Sequence, residues 1–358
     1  MFFELDHYDK FEIAYDYATE SKYVWRINLL GGGRLHSLAE RFGEMRSLCE
    51  YIKGEKKWIY LEGFFFGGKK RIQANFLTGL PYLPSKKWVK NGIKDEYVSI
   101  VKDSFFERPR NPDLYTAPLI VIKKVDKLLI DFIEKGNLAF DKGIVGIHSP
   151  DGESEQLKEL YLKIKSNIET YTFLILLRGS HGLISRNSIV TKNDVDQLPY
   201  PENLSELKLS FWEKVLMDDV VEFMSNYVRG QQHSDLLFNK ASNDDLGTYS
   251  RLFLKMLGSV FDELKAGKYY SIDGFICQTF YFGDEPEFDW VNNIDEKALR
   301  KIMYDDNIEA RLRNVRMFRY YRKNVMVIIK PDRLRYWIKS VAIRDSDETF
   351  YDLYKMGY

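Results

Sequence analysis

In Gly63–Leu83, GFFFGGKKRIQANFLTGLPYL, three phenylalanines and a glycine pair run straight into Lys69, Lys70 and Arg71. Cations beside backbone that carries no side chain are suited to phosphate oxygens. The phosphate loop of an ATPase needs glycines ending in Gly-Lys-Ser/Thr and opening a helix, whereas Lys70 is followed by Arg71 and Ile72. The triple glycine at 31–33 lacks the Gly-x-Gly-x-x-Gly frame of a dinucleotide site. Both clusters read as turns, the first with a cationic edge at Lys69, Lys70 and Arg71.

Two further strings combine cations with aromatics or glycines. ERPRNPDLYTAPLIVIKK carries Arg108, Arg110, Lys123 and Lys124, and LLRGSHGLISRNS carries Arg178, His181 and Arg186. A third, RLRNVRMFRYYRK with PDRLRYW, carries Arg311, Arg313, Arg316, Arg319, Arg322, Arg333 and Arg335. Loop cations of this kind contact phosphates and base edges. Equally, such arginines solvate a face or pair with neighbouring carboxylates. In the third string the alternation of Arg with Val, Met, Phe and Tyr also fits one face of a half-buried strand.

Acid–base and metal chemistry finds little material. His148 and His181 sit in predicted loops beside polar residues, but neither has the flanks of a nucleophile elbow or a zinc helix. Ser180-His181-Gly182 reads as a turn. Asp262-Glu263-Leu264-Lys265 holds the Glu-x-Lys half of a metal-dependent nuclease pattern, but no Pro-Asp stands suitably upstream, so it reads as a solvated helix face. A rival reading as a nuclease or transferase rests on the scattered carboxylates Asp262, Glu285 and Asp289. The expectation is no catalytic centre and no metal in this chain.

These residues need a sizeable scaffold, and 358 residues suffice for two domains. Apolar residues make up 45% and charged residues 30%, a globular balance, with aromatics enriched at 15%. The formal net charge is +0, so a nucleic-acid site must be a local patch. Cys49 and Cys277 sit in no metal-like spacing, and MFFELDHYDK is charged from its fourth residue, unlike a secretory signal. TFLILL and VMVII are too short to span a bilayer. A cytoplasmic protein without a membrane segment is expected.

Leu35, Leu38 and Phe42 predict a helix after the glycine triplet, and Trp58, Tyr60 and Phe64 are candidate core residues of a strand that runs into the Gly67–Gly68 turn. LIVIKK is a short buried strand, and Gly136 is a turn between strand-like runs. SEQLKELYLKIKSNIETYTFLILL predicts one long helix, with Ser154 at its start and Leu157, Leu160, Ile164 and Ile168 at helical spacing. Residues 205 to about 265 read as helical. Strands follow in YYSIDGFICQTFYF and in RMFRYYRKNVMVIIKP, and the tail is helical in places. The fold class is α+β: a mixed-sheet domain with one long helix over 1–204, then a helical segment and a smaller α+β domain over 205–358.

The ordered series GFFFGGKKRIQANFLTGLPYL, PRNPDLYTAPLIVIKK, GIVGIHSPDGESEQLKELYLKIKSNI, RGSHGLISRNSI and DVDQLPYPE resembles the region that follows the catalytic domain in adenine-N6 DNA methyltransferases of bacterial restriction–modification systems. IKPDRLRYWIKSVAIRDSDETFYDL is similar to the tail of some of these enzymes. The resemblance implies a target recognition domain that contacts double-stranded DNA through Lys69, Lys70, Arg71, Arg178, His181 and Arg186, with Arg108 and Arg110 behind them. These enzymes act through an Asn/Asp-Pro-Pro-Tyr/Phe tetrapeptide, and the nearest string here, Asn111-Pro112-Asp113-Leu114, lacks the second proline and the ring. The implied division is recognition without methyl transfer. S-adenosylmethionine would bind on a separate methyltransferase catalytic domain or subunit, which would be the partner. A third expectation is a protein-interaction module that docks onto a catalytic or nuclease subunit.

Overall fold

The computed structural model describes residues 15, 19, 32–180, 190–224, 239–272, 274–284, 318–322 and 324–357. The fold is α+β, and the chain divides into two compact units. We call Leu38–Ser210 the central unit and Met1–Ser37 with Phe211–Tyr358 the flanking unit. Helix α1 (Gly32–Gly43) crosses the first boundary, and Leu35, Leu38 and Phe42 are buried as their spacing requires.

The central unit is built on an antiparallel sheet of order β1-β9-β6-β7, with β1 at Ile59–Glu62, β6 at Leu119–Lys123, β7 at Leu129–Ile133 and β9 at Ile144–His148. Successive side chains on a strand take opposite faces, and both faces of β6 are covered. Leu119 and Val121 join a core with Phe64, Trp88, Phe106, Leu114, Tyr115 and Phe140, while Ile120 and Ile122 are buried on the opposite face. A small mixed sheet completes the layer: β3 (Pro81–Leu83) pairs antiparallel with β4 (Ser99–Ile100) and parallel with β8 (Ala139–Phe140). A two-stranded ribbon joins β2 (Ile72–Gln73) to β5 (Phe105–Phe106). Trp58, Tyr60 and Phe64 are core residues as expected.

The run expected to be one helix is two, α2 (Ser154–Ser166) and α3 (Ile168–Arg178). Asn167 breaks it at φ −112° and ψ 18°, and its side-chain amide donates to the Lys163 carbonyl at 2.9 Å. An Asn side chain that competes for backbone acceptors ends a turn that apolar periodicity alone would continue. The short helix α4 (Lys192–Asp196) follows. It opens with a capping box in which Thr191 and Asp194 satisfy each other's backbone N–H groups.

The flanking unit has an antiparallel sheet of order β10-β11-β13-β12: β10 (Leu264–Ile272), β11 (Phe275–Phe282), β12 (Phe318–Arg322) and β13 (Val325–Pro331). Helices α5 (Phe211–Asp219), α6 (Asn243–Leu257) and α7 (Lys339–Lys355) supply Leu216, Tyr249, Phe253 and Ala342 to the core that covers Ile276, Phe280, Met326 and Ile328. The alternate positions Phe275, Cys277, Val327 and Ile329 are buried on the other face, and burial pushes the Cys277 thiol up to about 12. Asp262 and Glu263 are in a tight turn that leads into β10, with Glu263 at φ +70°, so the expected helix face is corrected: α6 ends at Leu257.

Three buried ionisable side chains, Lys330, Asp345 and Asp219, shape this unit. Lys330 and Asp345 are both 0% exposed and 2.6 Å apart. The Lys330 ammonium sits over the rings of Tyr249 and Trp337, 3.8 and 4.1 Å from their centroids, and the Tyr249 hydroxyl donates to Asp345 at 2.8 Å. Asp219 lies buried at the start of α7, where it accepts from the Ser340 N–H at 2.5 Å. Burial raises its carboxyl from 3.8 to about 6 against the opposing pull of Ser340 and Lys339.

The pH consequence of Asp219 is a loss of stability as pH rises. Between about pH 4 and 6 the folded state holds a proton that the unfolded chain has released, so unfolding free energy falls across that window, by up to about 3 kcal/mol. Asp219→Asn keeps an acceptor for Ser340 without the charge. Urea melts at pH 4.5, 6 and 7.5 are expected to show a flatter profile for this variant and greater stability than the parent at pH 7.5.

Candidate nucleic-acid interface

The GFFFGG stretch is a strand end that turns through a close backbone approach. The Gly63 N–H donates to the Ile144 carbonyl at 3.1 Å and the Phe64 N–H to the Phe140 carbonyl at 3.2 Å, which draws the chain against β8 and β9. A Cβ on Gly63 would stand 2.0 Å from the Phe140 oxygen. Gly68 takes φ +114°, and the Glu107 carboxylate occupies the space a side chain there would need. Phe64 is buried among Phe66, Tyr82 and Phe106, and Phe65 stacks under the Lys142 ammonium at 3.9 Å. The aromatics are therefore the anchor, and the residues after Gly68 emerge from it.

Lys69 and Lys70 are exposed on this turn. Arg71, also exposed, donates through Nε and a terminal nitrogen to the Phe105 carbonyl, at 3.1 and 2.7 Å, and so ties β2 to β5. Glu107 exchanges backbone hydrogen bonds with Phe65, which places Arg108 beside the same turn. Arg108 adopts φ +53°, its side chain is 68% exposed, and it lies 4.0 Å from the Glu107 carboxylate. Arg110 turns inward instead and donates to the Glu62 carbonyl at 3.0 Å. Lys123 reaches the Trp88 carbonyl at 2.5 Å, and burial lowers its pKa, while Lys124 pairs with Glu62. The basic end of LIVIKK is thus an internal brace.

Across residues 64–102 stand eight Lys or Arg against two Asp or Glu, in a chain whose formal charge is +0. Many of these cations are exposed: Lys69, Lys70, Arg71, Lys86, Lys87, Lys90, Lys94 and Lys102. Ile72, Val89 and Ile100 are exposed in the same segment, and Phe105 just beyond it. No protein-family model matches the chain, and neither do the curated proteins or the solved structures. Its chemistry is therefore read from geometry.

Arg178 ends α3 and lies half-buried against Gly43, where an added methyl would meet two guanidinium nitrogens at 3.5 Å. His181 and Arg186 lie outside the described residues, as do Glu285 and Asp289. Ser180, the first residue of the Ser-His-Gly string, donates to the buried Asp194 carboxylate at 2.9 Å, through both its N–H and its hydroxyl. That bond joins the end of α3 to the capping box of α4, a structural task. His148 is corrected from a loop to the buried end of β9, with Nδ1 3.2 Å from the Pro118 carbonyl.

Arg319 on β12 pairs with Glu348 at 3.3 Å and Asp352 at 2.5 Å on α7, so this member of the third string pairs within the fold. Among the described residues no group of three or more His, Cys, Asp or Glu is placed to hold a metal ion, and no helix is long and apolar enough to cross a membrane. What sequence reading missed was the ribbon itself: neither Ile72–Gln73 nor Phe105–Phe106 was read as a strand. The signal that could have found it is the exposed pair of β-formers, Ile72 and Phe105, beside the cations.

Proposed function

We propose that the central unit binds duplex DNA through the turn and ribbon that carry Lys69, Lys70, Arg71 and Arg108. The observation that carries this reading is the concentration of exposed cations over residues 64–102 in a chain of zero net charge. Exposed charges at the mouth of the turn neutralise phosphates, and each displaces condensed counterions from the duplex. The ordered motifs described above extend the proposal: this chain supplies site selection to an adenine-N6 DNA methyltransferase of a restriction–modification system. In this reading S-adenosylmethionine and the flipped adenine are held by a separate catalytic domain or subunit. Such a division is useful because extruding a base costs a few kcal/mol, which phosphate and groove contacts elsewhere offset.

A second reading is favoured by α7, whose last turns expose Tyr351, Tyr354 and Met356: the flanking unit docks onto the catalytic subunit and touches no DNA. One experiment separates the two. Fluorescence anisotropy with a labelled mixed-sequence duplex from 50 to 200 mM salt is expected to show affinity falling steeply, with the log–log slope reduced by about 2 in Lys69→Ala/Lys70→Ala. Flat salt dependence, or no binding until a partner protein is added, refutes DNA binding by this unit.

A further inference from the structure

The ribbon's two faces differ in a way that charge alone does not require. Residues directly opposite each other in an antiparallel pair share a face, with Cβ atoms about 5 Å apart. Ile72 pairs with Phe106; Phe106 is wholly buried and anchors that face to the core, while Ile72 stays 58% exposed. Gln73 pairs with Phe105, and both look outward, Phe105 with 51% of its surface exposed. Ala74 continues the ribbon by donating to the Ser104 carbonyl at 2.8 Å, and Asn75 follows, exposed. The Gln73 side-chain nitrogen donates to the Asn75 side-chain oxygen at 3.2 Å. Among the described residues, that leaves the Gln73 oxygen and its second N–H, together with the Asn75 amide nitrogen, open to a ligand.

Resting on the DNA-binding reading above, we infer that this outward face reads an A·T pair in the major groove, with Gln73 on the adenine edge and Phe105 against the thymine methyl. The major groove, about 12 Å wide, admits a two-stranded ribbon, and Gln or Asn makes a bidentate pair with adenine N6 and N7. An apolar ring beside it matches the methyl group that only thymine presents. The preset Gln73–Asn75 bond restricts the amide's rotation before the duplex arrives, and Arg71, clamped on the Phe105 carbonyl, holds the two strands in register. Exposed cations on the turn at one end, Lys69 and Lys70, lie where they can contact the backbones that flank the groove.

The test selects bound sequences from a randomised duplex pool with the full chain, for the parent, Gln73→Ala, Phe105→Ala and Lys69→Ala, each checked for folding by circular dichroism. The parent is expected to fix an A·T pair. Gln73→Ala should relax that position roughly 5- to 150-fold. Phe105→Ala should relax the thymine preference at the same pair. Lys69→Ala should weaken all sequences alike. A parent that binds duplex without base preference overturns the inference, as do Gln73→Ala and Phe105→Ala proteins that select the parent's sequence. In both cases duplex binding survives. A parent that binds no duplex at any salt instead removes the underlying reading, and this inference with it.

Discussion

Replacing Lys330 by methionine is expected to destabilise the flanking unit by about 3–5 kcal/mol, because it leaves the Asp345 carboxylate buried without its cation. In the parent that carboxylate is met by the Lys330 ammonium at 2.6 Å and the Tyr249 hydroxyl at 2.8 Å, and the ammonium also reaches the Tyr336 carbonyl and two aromatic faces. Asp345→Leu should be comparably damaging, since it leaves the charge on Lys330. The double variant Lys330→Met/Asp345→Leu removes both charges and should regain much of the loss, as paired replacement of buried ions often does. A double-mutant cycle in urea, followed by circular dichroism, measures this. Additive losses would show that the two side chains act independently.

Gly63→Ala is expected to cost about 3 kcal/mol or more, at or beyond the upper end for inserting one carbon into a packed site. The obstruction is backbone: the new methyl would stand 2.0 Å from the Phe140 oxygen and 2.7 Å from its carbonyl carbon, and neither can rotate away. Relief requires the strand end to lift from β8 and break the Gly63–Ile144 and Phe64–Phe140 hydrogen bonds. That movement carries Lys69 and Lys70 with it, so duplex affinity should fall along with the urea midpoint. Gly54→Ala is the control, because nothing lies within 4 Å of a Cβ there. It should be neutral or slightly stabilising. Equal midpoints for the two variants would contradict the steric account.

The buried framework was largely legible in the sequence. Leu157, Leu160 and Ile164 announced α2, LIVIK announced a strand covered on both faces, and Trp58, Tyr60 and Phe64 announced the core beside the glycine turn. These signals are local, because periodicity reports which side of one element avoids water. What escaped depends on partners distant in sequence. Lys330 stood at the end of an apolar run like any solvated cation, yet its carboxylate lies fifteen residues on, on a helix folded back over the sheet. Lys123, Lys124 and Arg110 looked as available as Lys69 and Lys70, and only tertiary structure assigns them to Trp88 and Glu62. Of the candidate site, the cationic turn was visible; the ribbon that presents Gln73 and Phe105 was hidden, because two-residue strands leave no pattern of their own.

The two thiols fall one to each unit, Cys49 partly accessible in the central unit and Cys277 sealed within β11 of the flanking unit. With its thiolate so disfavoured, Cys277 resists alkylating reagents for as long as the strands around it stay closed. Covalent capture at that position therefore timestamps the transient breathing of one half of the molecule, whereas Cys49, already partly accessible, can be reached without it.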